Sequence, residues 1–284
     1  MNDLGVADMD LGRYNEAEQL FSKGLQTSRR VLGEQHQTTL FMVGNLGSVY
    51  MNQGRYKEAE QQYIEMLEIH RRLWGDENPY TLFYMSCLAG VYTQQGRYDD
   101  SESLYLKTLE RQRRVLDEEH VFTLWSIEGL ASLYAGQSKY EEAERLFVEA
   151  LGGLQRSRGY EHRDALRCMN GLAELYTAQR RFDPAASLLT SALGISRRTL
   201  GDDHPWTFTS MNNLATVYKE QAQYEKAELL LLEAVKGRRL KLGDKHPHTV
   251  ESLNNIIDLY EAWGKPEKAK KWRAKLPQTE AVAE

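Results

Sequence analysis

The sequence contains few of the residues that cross-link or interrupt a fold. Its 284 residues include only two cysteines, six prolines and 21 glycines. These low counts exclude a disulfide-dense scaffold and leave little of the chain for long irregular loops. Cys87 and Cys168 fall in non-neighbouring copies of the repeat described below, so we expect them to lie farther apart than the roughly 5.5 Å Cα separation of a disulfide. A reducing, cytoplasmic location is therefore expected.

Long apolar runs and a surplus of basic residues are also missing. The longest aliphatic stretch, residues 229–232, is far shorter than the roughly 20 residues of a membrane-spanning helix. The sequence shows no basic-then-apolar secretion signal and no Asn-x-Ser/Thr acceptor. Its formal net charge is −5, whereas binding to phosphate backbones needs many Lys and Arg side chains on one face. We therefore predict no membrane and no nucleic-acid partner.

What the sequence does contain is a pattern that recurs every 42 residues without an insertion. One position is aromatic in all copies but the last: Tyr14, Tyr56, Tyr98, Tyr140, Phe182, Tyr224 and then Pro266. Three residues later comes a small side chain: Ala17, Ala59, Ser101, Ala143, Ala185, Ala227 and Ala269. A second aromatic series is Tyr50, Tyr92, Tyr134, Tyr176, Tyr218 and Tyr260. Such a register indicates seven copies of one structural repeat.

The apolar spacing within a repeat is that of two helices. Residues three or four positions apart form an apolar stripe in one segment: Leu82, Met85, Leu88, Ala89 and Tyr92. A Gly-containing turn at residues 95–97 separates this segment from a second stripe that begins at Tyr98, and Gly96 can end the first helix in a left-handed conformation. The prediction is an all-α fold of seven two-helix repeats, at about 1–35, 36–77, 78–119, 120–161, 162–203, 204–245 and 246–276. Residues 277–284 are expected to be a disordered tail.

The loop between repeats has its fullest form at residues 200–207, Leu-Gly-Asp-Asp-His-Pro-Trp-Thr. We expect Gly201 to end one helix and Asp202 or Asp203 to cap the next. One loop position holds a recurring histidine: His36, His120, His162, His204 and His246. Metal ligands must lie within about 2 Å of one ion, whereas these histidines are a helix pair apart. We therefore predict a structural role at helix starts and no metal site.

The combined motif is Leu-Gly/Ala-x-x-Tyr, then Gly-x-Tyr-x-x-Ala, then an aromatic residue four positions on, as at Tyr63, Tyr105 and Phe147. It resembles the tetratricopeptide repeat, whose usual length is 34 residues. The longer repeat with a Gly-Asp-x-His-Pro-x-Thr loop resembles the kinesin light chain and nephrocystin type, which also occurs beside NTPase or Ser/Thr kinase domains. The resemblance implies a right-handed superhelical solenoid whose first helices line a concave, peptide-binding face.

The resemblance also implies which positions line that face. Carried onto this chain they are Phe41, Ser48, Met51, Asn52, Phe83, Ser86, Gln94, Trp125, Glu128, Arg167, Asn170, Glu174, Asn212, Lys219, Asn254 and Asp258. The early members are apolar or aromatic and the late members are polar, and with Glu220, Glu251 and Glu261 included the lining sums to a net −4. We therefore predict a protein or peptide ligand with apolar anchors and basic residues. Asn side chains offer it a donor and an acceptor each.

Residues that would carry catalysis are not arranged in any motif that we find. There is no phosphate-binding Gly loop, no Cys-x-x-Cys pair, no His-Glu-x-x-His and no Gly-x-Ser-x-Gly elbow. We predict no enzymatic activity and no cofactor. The leading interpretation is a monomeric protein–protein interaction scaffold. The alternative is the sensor region of a larger signalling protein with a Ser/Thr kinase or STAND-type NTPase domain.

The two ends of the array depart from the pattern. Asp8 replaces the tyrosine of the second aromatic series, and the first helix is short. Either Asp8 makes a shortened cap polar, or a longer protein continues upstream. The last helix is strongly basic, from Lys265 to Lys275. A solvated cap of the solenoid is the first interpretation of that helix, and docking on an acidic partner is the second.

Overall fold

The computed structural model describes residues 2–277, and these residues form helices without any strand. Within that range the fourteen helices are α1 (Asn2–Asp10), α2 (Tyr14–Leu32), α3 (Gln37–Asn52), α4 (Tyr56–Trp74), α5 (Pro79–Gln94), α6 (Tyr98–Val115), α7 (Val121–Gly136), α8 (Tyr140–Arg158), α9 (Arg163–Ala178), α10 (Phe182–Leu200), α11 (Pro205–Glu220), α12 (Tyr224–Leu242), α13 (Pro247–Ala262) and α14 (Pro266–Arg273). The all-α fold of seven two-helix repeats is therefore confirmed. The predicted disordered tail lies, except for Pro277, outside the described residues.

The chain divides into two compact units, an N-terminal unit of Met1–Cys168 and a C-terminal unit of Met169–Glu284. The boundary falls within α9. In the N-terminal unit the core contains Phe21, Met66 and Leu82, each with no or almost no exposed surface. In the C-terminal unit, Phe208 and Leu231 take the same role. In both, the small residue three positions into each second helix is fully buried, as Ala59 and Ala227 are.

The turn inside each repeat requires a left-handed residue. Gly96 has a φ of 75°, as the sequence predicted. At the same position of later repeats, Ser138, Arg180 and Ala222 have φ values of 61°, 60° and 55°. Side chains with a Cβ are strained in this region, so these three turns are less favourable than those built on glycine.

The loop histidines cap the first helices. The Nδ1 atom of His36 accepts a hydrogen bond of 3.2 Å from the backbone N–H of Thr38, and His204 accepts the equivalent bond from Trp206. Asn78 does the same through its amide oxygen at 3.0 Å. The predicted structural role of these histidines is confirmed, whereas the expectation that Asp202 or Asp203 caps α11 is wrong. Both aspartates precede the cap position and instead form ion pairs, with Arg197 and Lys241 respectively.

Neighbouring repeats of the N-terminal unit are tied by a recurring ion pair. Arg55, in the turn of the second repeat, lies 4.3 Å above the ring of Tyr50 and bonds to Glu18 of the first repeat at 2.8 Å. Arg97 and Glu60 repeat this bond at 2.9 Å, 42 residues further on. Such pairs between partly exposed side chains are each worth about 1 kcal/mol or less. In the first repeat, Asp8 of the short α1 replaces the tyrosine of the second aromatic series. The turn residue Arg13 forms an ion pair of 3.1 Å with this aspartate.

Candidate functional site

The first helices of the N-terminal unit surround a cavity of about 410 Å³, which we call the main cavity. Its walls come from α3, α5, α7 and the start of α9, with one tyrosine each from α4 and α6. The lining residues are Ser48, Met51, Asn52, Tyr63, Phe83, Ser86, Cys87, Gly90, Tyr105, Phe122, Trp125, Glu128, Gly129, Ser132 and Arg167. The volume lies in the range typical of ligand sites, and rings and polar groups share the wall.

The main cavity brings together half of the residues predicted for the concave face. These are Ser48, Met51, Asn52, Phe83, Ser86, Trp125, Glu128 and Arg167. Two other predicted residues of the N-terminal unit lie elsewhere. Phe41, near the start of α3, lines a separate cavity. Gln94 is the last residue of α5, where it is exposed and accepts a 3.4 Å hydrogen bond from the hydroxyl of Tyr56.

The predicted residues of the C-terminal unit form a row of polar side chains. Asn170 and Asn212 are buried, whereas Glu174, Asn254 and Asp258 are exposed. The amide of Asn213 links two members of the row, since it donates to Asn170 at 3.2 Å and to Glu174 at 3.0 Å. Lys219 pairs with its neighbour Glu220 at 3.3 Å.

Sequence reasoning missed the tyrosines that reach the main cavity from the second helices. The hydroxyl oxygen of Tyr63 lies 3.2 Å from the hydroxyl oxygen of Ser48. A Cβ atom placed on Gly129 would lie 2.3 Å from the hydroxyl oxygen of Tyr105. Glycines on the first helices therefore leave room for these two long side chains. The pattern that could have revealed them is the occurrence of Gly47 and Gly129 on first helices that pack against an aromatic second helix.

Glu128 and Arg167 form the charged part of the wall. Glu128 is 8% exposed and accepts a 2.7 Å hydrogen bond from Arg167. Burial raises the pKa of the Glu128 carboxyl, and the neighbouring guanidinium opposes that shift. The guanidinium of Arg167 also lies 5.7 Å from the ring centre of Trp125. Within residues 2–277, the buried Nε1 of Trp125 and Nε of Arg167 have no hydrogen-bond partner.

The main cavity carries no net charge, and the carboxylates behind the predicted net −4 lie on residues of the C-terminal unit. Glu128 and Arg167 are the two charged members of its lining, and they neutralise each other. Burial raises the pKa of the Cys87 thiol to about 12, so this group is protonated at neutral pH. Two of those carboxylates have cationic partners: Glu251 lies 3.2 Å from Arg238, and Glu261 pairs with Arg273.

Among the residues that the structure describes, no group of three or more His, Cys, Asp or Glu side chains has a metal-binding arrangement. None of the helices in residues 2–277 has both the length and the apolar composition needed to cross a bilayer. Cys87 and Cys168 are both free thiols.

Comparison with solved structures shows the same fold in several proteins. BtubC (BKLC) from P. vanneervenii aligns with a TM-score of 0.62 and 23% identity, over 81% of this chain and 92% of that one. A Podosopora anserina protein designated a kinesin light chain, with nearly identical TPR-like repeats, aligns at 0.60 and 27%, over 70% and 94%. Rap protein complexed with Competence and Sporulation Factor aligns at 0.67 and 14%, over 96% and 74%.

Comparison at the sequence level identifies the family. A search of curated proteins gives no match. One family model described as tetratricopeptide repeat matches residues 83–155, 130–198 and 187–240, which together span more than half of the chain. A second model with the same description matches residues 1–38 and 43–80. The chain therefore belongs to the tetratricopeptide repeat family.

Proposed function

We propose that this protein is an interaction scaffold that binds an extended segment of a partner protein in the main cavity. The observation that carries the proposal is the composition of that cavity, where the rings of Phe83, Phe122 and Trp125 lie beside donors that have no partner. Recognition sites for polypeptides combine apolar anchor pockets with a few fixed polar groups in this way. Two proteins with the same fold support the proposal. They are Rap, complexed with Competence and Sporulation Factor, and NprR, in complex with its cognate peptide NprX.

The residues of the main cavity divide into two roles in this proposal. Met51, Phe83 and Trp125 supply the apolar surface for anchoring side chains, since burying such groups is the main source of affinity. A bound segment that shifts the side chain of Trp125 or Arg167 would give its buried N–H donor the acceptor that it lacks, for example a backbone carbonyl group. A segment bound to the C-terminal unit would meet the exposed carboxylates of Glu174 and Asp258, which favour Lys or Arg.

We further propose that the scaffold acts as a monomer, without a cofactor and without catalysis. The neutral lining supports the last point, since the thiol of Cys87 is protonated and the carboxylate of Glu128 is paired. Both cysteines are free, which suits a reducing compartment. Sedimentation or light scattering at micromolar concentration tests the oligomeric state, and a dimer would contradict that part of the proposal.

Affinity purification from cells, followed by identification of the retained proteins, tests the binding site. We expect Trp125→Ala to lower retention of a specific partner by about tenfold or more, because central aromatic residues carry about 2 kcal/mol or more in such interfaces. Val148→Ala is the control, since Val148 lies on α8 and is 52% exposed. Asn212→Ala probes the polar row of the C-terminal unit. Equal retention by the Trp125→Ala variant and the wild type would show that partners bind elsewhere.

A further inference from the structure

A second cavity of about 300 Å³ is lined by residues of α3, α4 and α5 and of the loop before α5, and we call it the aromatic pocket. Five rings line it: Phe41 at the start of α3, His70 and Trp74 near the end of α4, and Tyr80 and Tyr84 at the start of α5. His70 lies at the centre of the ring cluster, 4.7 Å from Trp74, 5.1 Å from Tyr84 and 6.2 Å from Tyr80 between ring centres. Phe41, Trp74 and Tyr80 remain 39–47% exposed, so a large aromatic surface faces water.

Comparison with the next repeat shows what this space can accept. Phe83 and Phe122 occupy the positions of Phe41 and Tyr80, 42 residues further along the chain. Their ring centres lie 4.9 Å apart with the ring planes tilted by 32°, so the two rings contact each other there. Phe41 and Tyr80 instead both line the open aromatic pocket. An additional ring would therefore make contacts of the kind that the next repeat makes with its own side chains.

The charge of the aromatic pocket restricts the ligand further. Its eight lining residues include no Asp, Glu, Lys or Arg. Burial lowers the pKa of His70, so its ring is neutral at pH 7. The other polar groups of the lining residues are the amides of Gln37 and Asn78 and the hydroxyls of Tyr80 and Tyr84. Within residues 2–277, the buried Nδ1 of His70 has no hydrogen-bond partner. Neutral donors and acceptors around an aromatic wall fit a phenol, whose hydroxyl can both donate and accept.

The aromatic pocket adjoins the main cavity. Tyr84 lines the pocket, and its ring centre lies 5.0 Å from that of Phe83, which lines the main cavity. The hydroxyl of Tyr84 also packs against Gly44 of α3, where an added Cβ would lie 2.5 Å away. Because Gly44 lies between Phe41 and Ser48 on the same helix, one extended segment could reach both sites.

We infer that the aromatic pocket binds the side chain of a tyrosine carried by the polypeptide that occupies the main cavity. The assignment of a phenol ring follows from the residues of the pocket alone. The assignment of that ring to a polypeptide rests on the proposed function. A free phenolic compound shares the same chemistry and is separated from the polypeptide source by the experiment below.

Titrations followed by protein NMR or saturation transfer test the inference with four probes: N-acetyl-L-tyrosinamide, N-acetyl-L-phenylalaninamide, p-cresol and tetramethylammonium. We expect the tyrosinamide to bind at least as tightly as p-cresol and more tightly than the phenylalaninamide. Tighter binding of tetramethylammonium would overturn the assignment to a neutral ring, since aromatic cages also accept quaternary ammonium ions. An affinity for the tyrosinamide about tenfold weaker than for p-cresol would overturn the polypeptide source.

Variants locate the binding. Trp74→Leu removes one wall, and leucine is the natural residue at the equivalent positions 32 and 116, so folding should be preserved. We expect it to weaken binding of the tyrosinamide by about tenfold, which corresponds to about 1.4 kcal/mol. Trp206→Leu in the C-terminal unit is the control and should change nothing. Equal binding by Trp74→Leu and the wild type, with native circular dichroism, would overturn the inference.

Failure of this inference is distinguishable from failure of the proposed function. Trp125→Ala alters the main cavity and leaves the five rings of the aromatic pocket in place. It should therefore lower partner retention by about tenfold or more without changing the affinity for the tyrosinamide. Loss of tyrosinamide binding in Trp125→Ala would instead place the probe in the main cavity and overturn the separate pocket.

Discussion

Arg167 on α9 donates a hydrogen bond of 2.7 Å to Glu128 on α7, and the carboxylate it holds is 8% exposed. We expect Arg167→Ala to lower the free energy of unfolding by about 1–3 kcal/mol at pH 7, because it leaves a buried carboxylate without its partner. Urea unfolding followed by circular dichroism measures the change. Glu128→Gln in the same chain should recover most of the loss, because it removes the unpaired charge.

The pH dependence of that loss has a definite sign. Burial already holds the pKa of Glu128 above its usual value, and removal of Arg167 takes away a group that lowers it. A carboxyl with a raised folded-state pKa stabilises the protein below its unfolded-state pKa, and this contribution is lost as the pH rises. The difference in free energy of unfolding between wild type and Arg167→Ala should therefore become smaller as the pH is lowered from 7 to about 4.5. A deficit that stays constant over this range would contradict the pairing.

Two glycines of α7 provide a matched comparison. A Cβ on Gly129 would lie 2.3 Å from the hydroxyl of Tyr105, whereas one on Gly136 would meet nothing within 4 Å. We expect Gly129→Ala to destabilise the protein by about 1–3 kcal/mol, as overpacking does. Gly136→Ala should be neutral or stabilising by up to about 1 kcal/mol through helix propensity. Thermal unfolding of the two variants measures the difference, and equal midpoints would show that Tyr105 is free to move.

The turn residue Ala222 offers a stabilising substitution. Its φ of 55° is unfavourable for a side chain with a Cβ, and the strain outweighs the backbone entropy of glycine. Ala222→Gly should raise the free energy of unfolding by about 0.5–1 kcal/mol. Gly96→Ala is the reverse experiment, since the φ of Gly96 is 75° and its Cβ would meet nothing within 4 Å. It should destabilise by a similar amount. The denaturant midpoints of the two variants should shift in opposite directions from that of the wild type. A loss of stability in Ala222→Gly would contradict the backbone strain at this turn.

Substitutions of His36 test whether its imidazole stabilises the start of α3 through the capping hydrogen bond alone. His36→Ala removes the acceptor for the N–H of Thr38 and should cost about 1 kcal/mol. His36→Asn should be nearly neutral, since Asn78 caps α5 with the same geometry. Chemical denaturation of both variants provides the measurement. If the asparagine variant were as unstable as the alanine variant, packing of the ring would be the larger contribution.

The sequence predicts the helices well because 42-residue periodicity averages over seven copies. Tyr56 and Tyr98, members of the first aromatic series, are the first residues of α4 and α6. A Gly at the turn and a His at the loop mark the remaining boundaries. The capping aspartates were predicted wrongly because Asp, Asn and His can all accept a backbone hydrogen bond, and only coordinates show which one occupies the cap position.

The site was less predictable because it depends on contacts between repeats. The reach of Tyr105 past Gly129 depends on side-chain length and helix separation, and the glycine by itself indicates only that two helices approach closely. Phe41 lines a different cavity from Phe83, although the two occupy equivalent positions. The sequence count also did not reveal that Glu251 and Glu261 are paired, because pairing is a three-dimensional property. Arg238, 1% exposed, lies within a network that includes Glu251 and Ser252.

The ion pairs between neighbouring repeats carry a consequence for changes in chain length. Glu18 with Arg55, and Glu60 with Arg97, occupy the same two positions of the repeat. Removal or duplication of 42 residues therefore leaves every remaining pair with an equivalent partner, for example Glu102 with Lys139. A deletion of a single residue, in contrast, would change the spacing of the pair that spans it, for example Glu18 with Arg55 for a deletion between them. Within the N-terminal unit, whole repeats are thus the step in length that preserves these pairs.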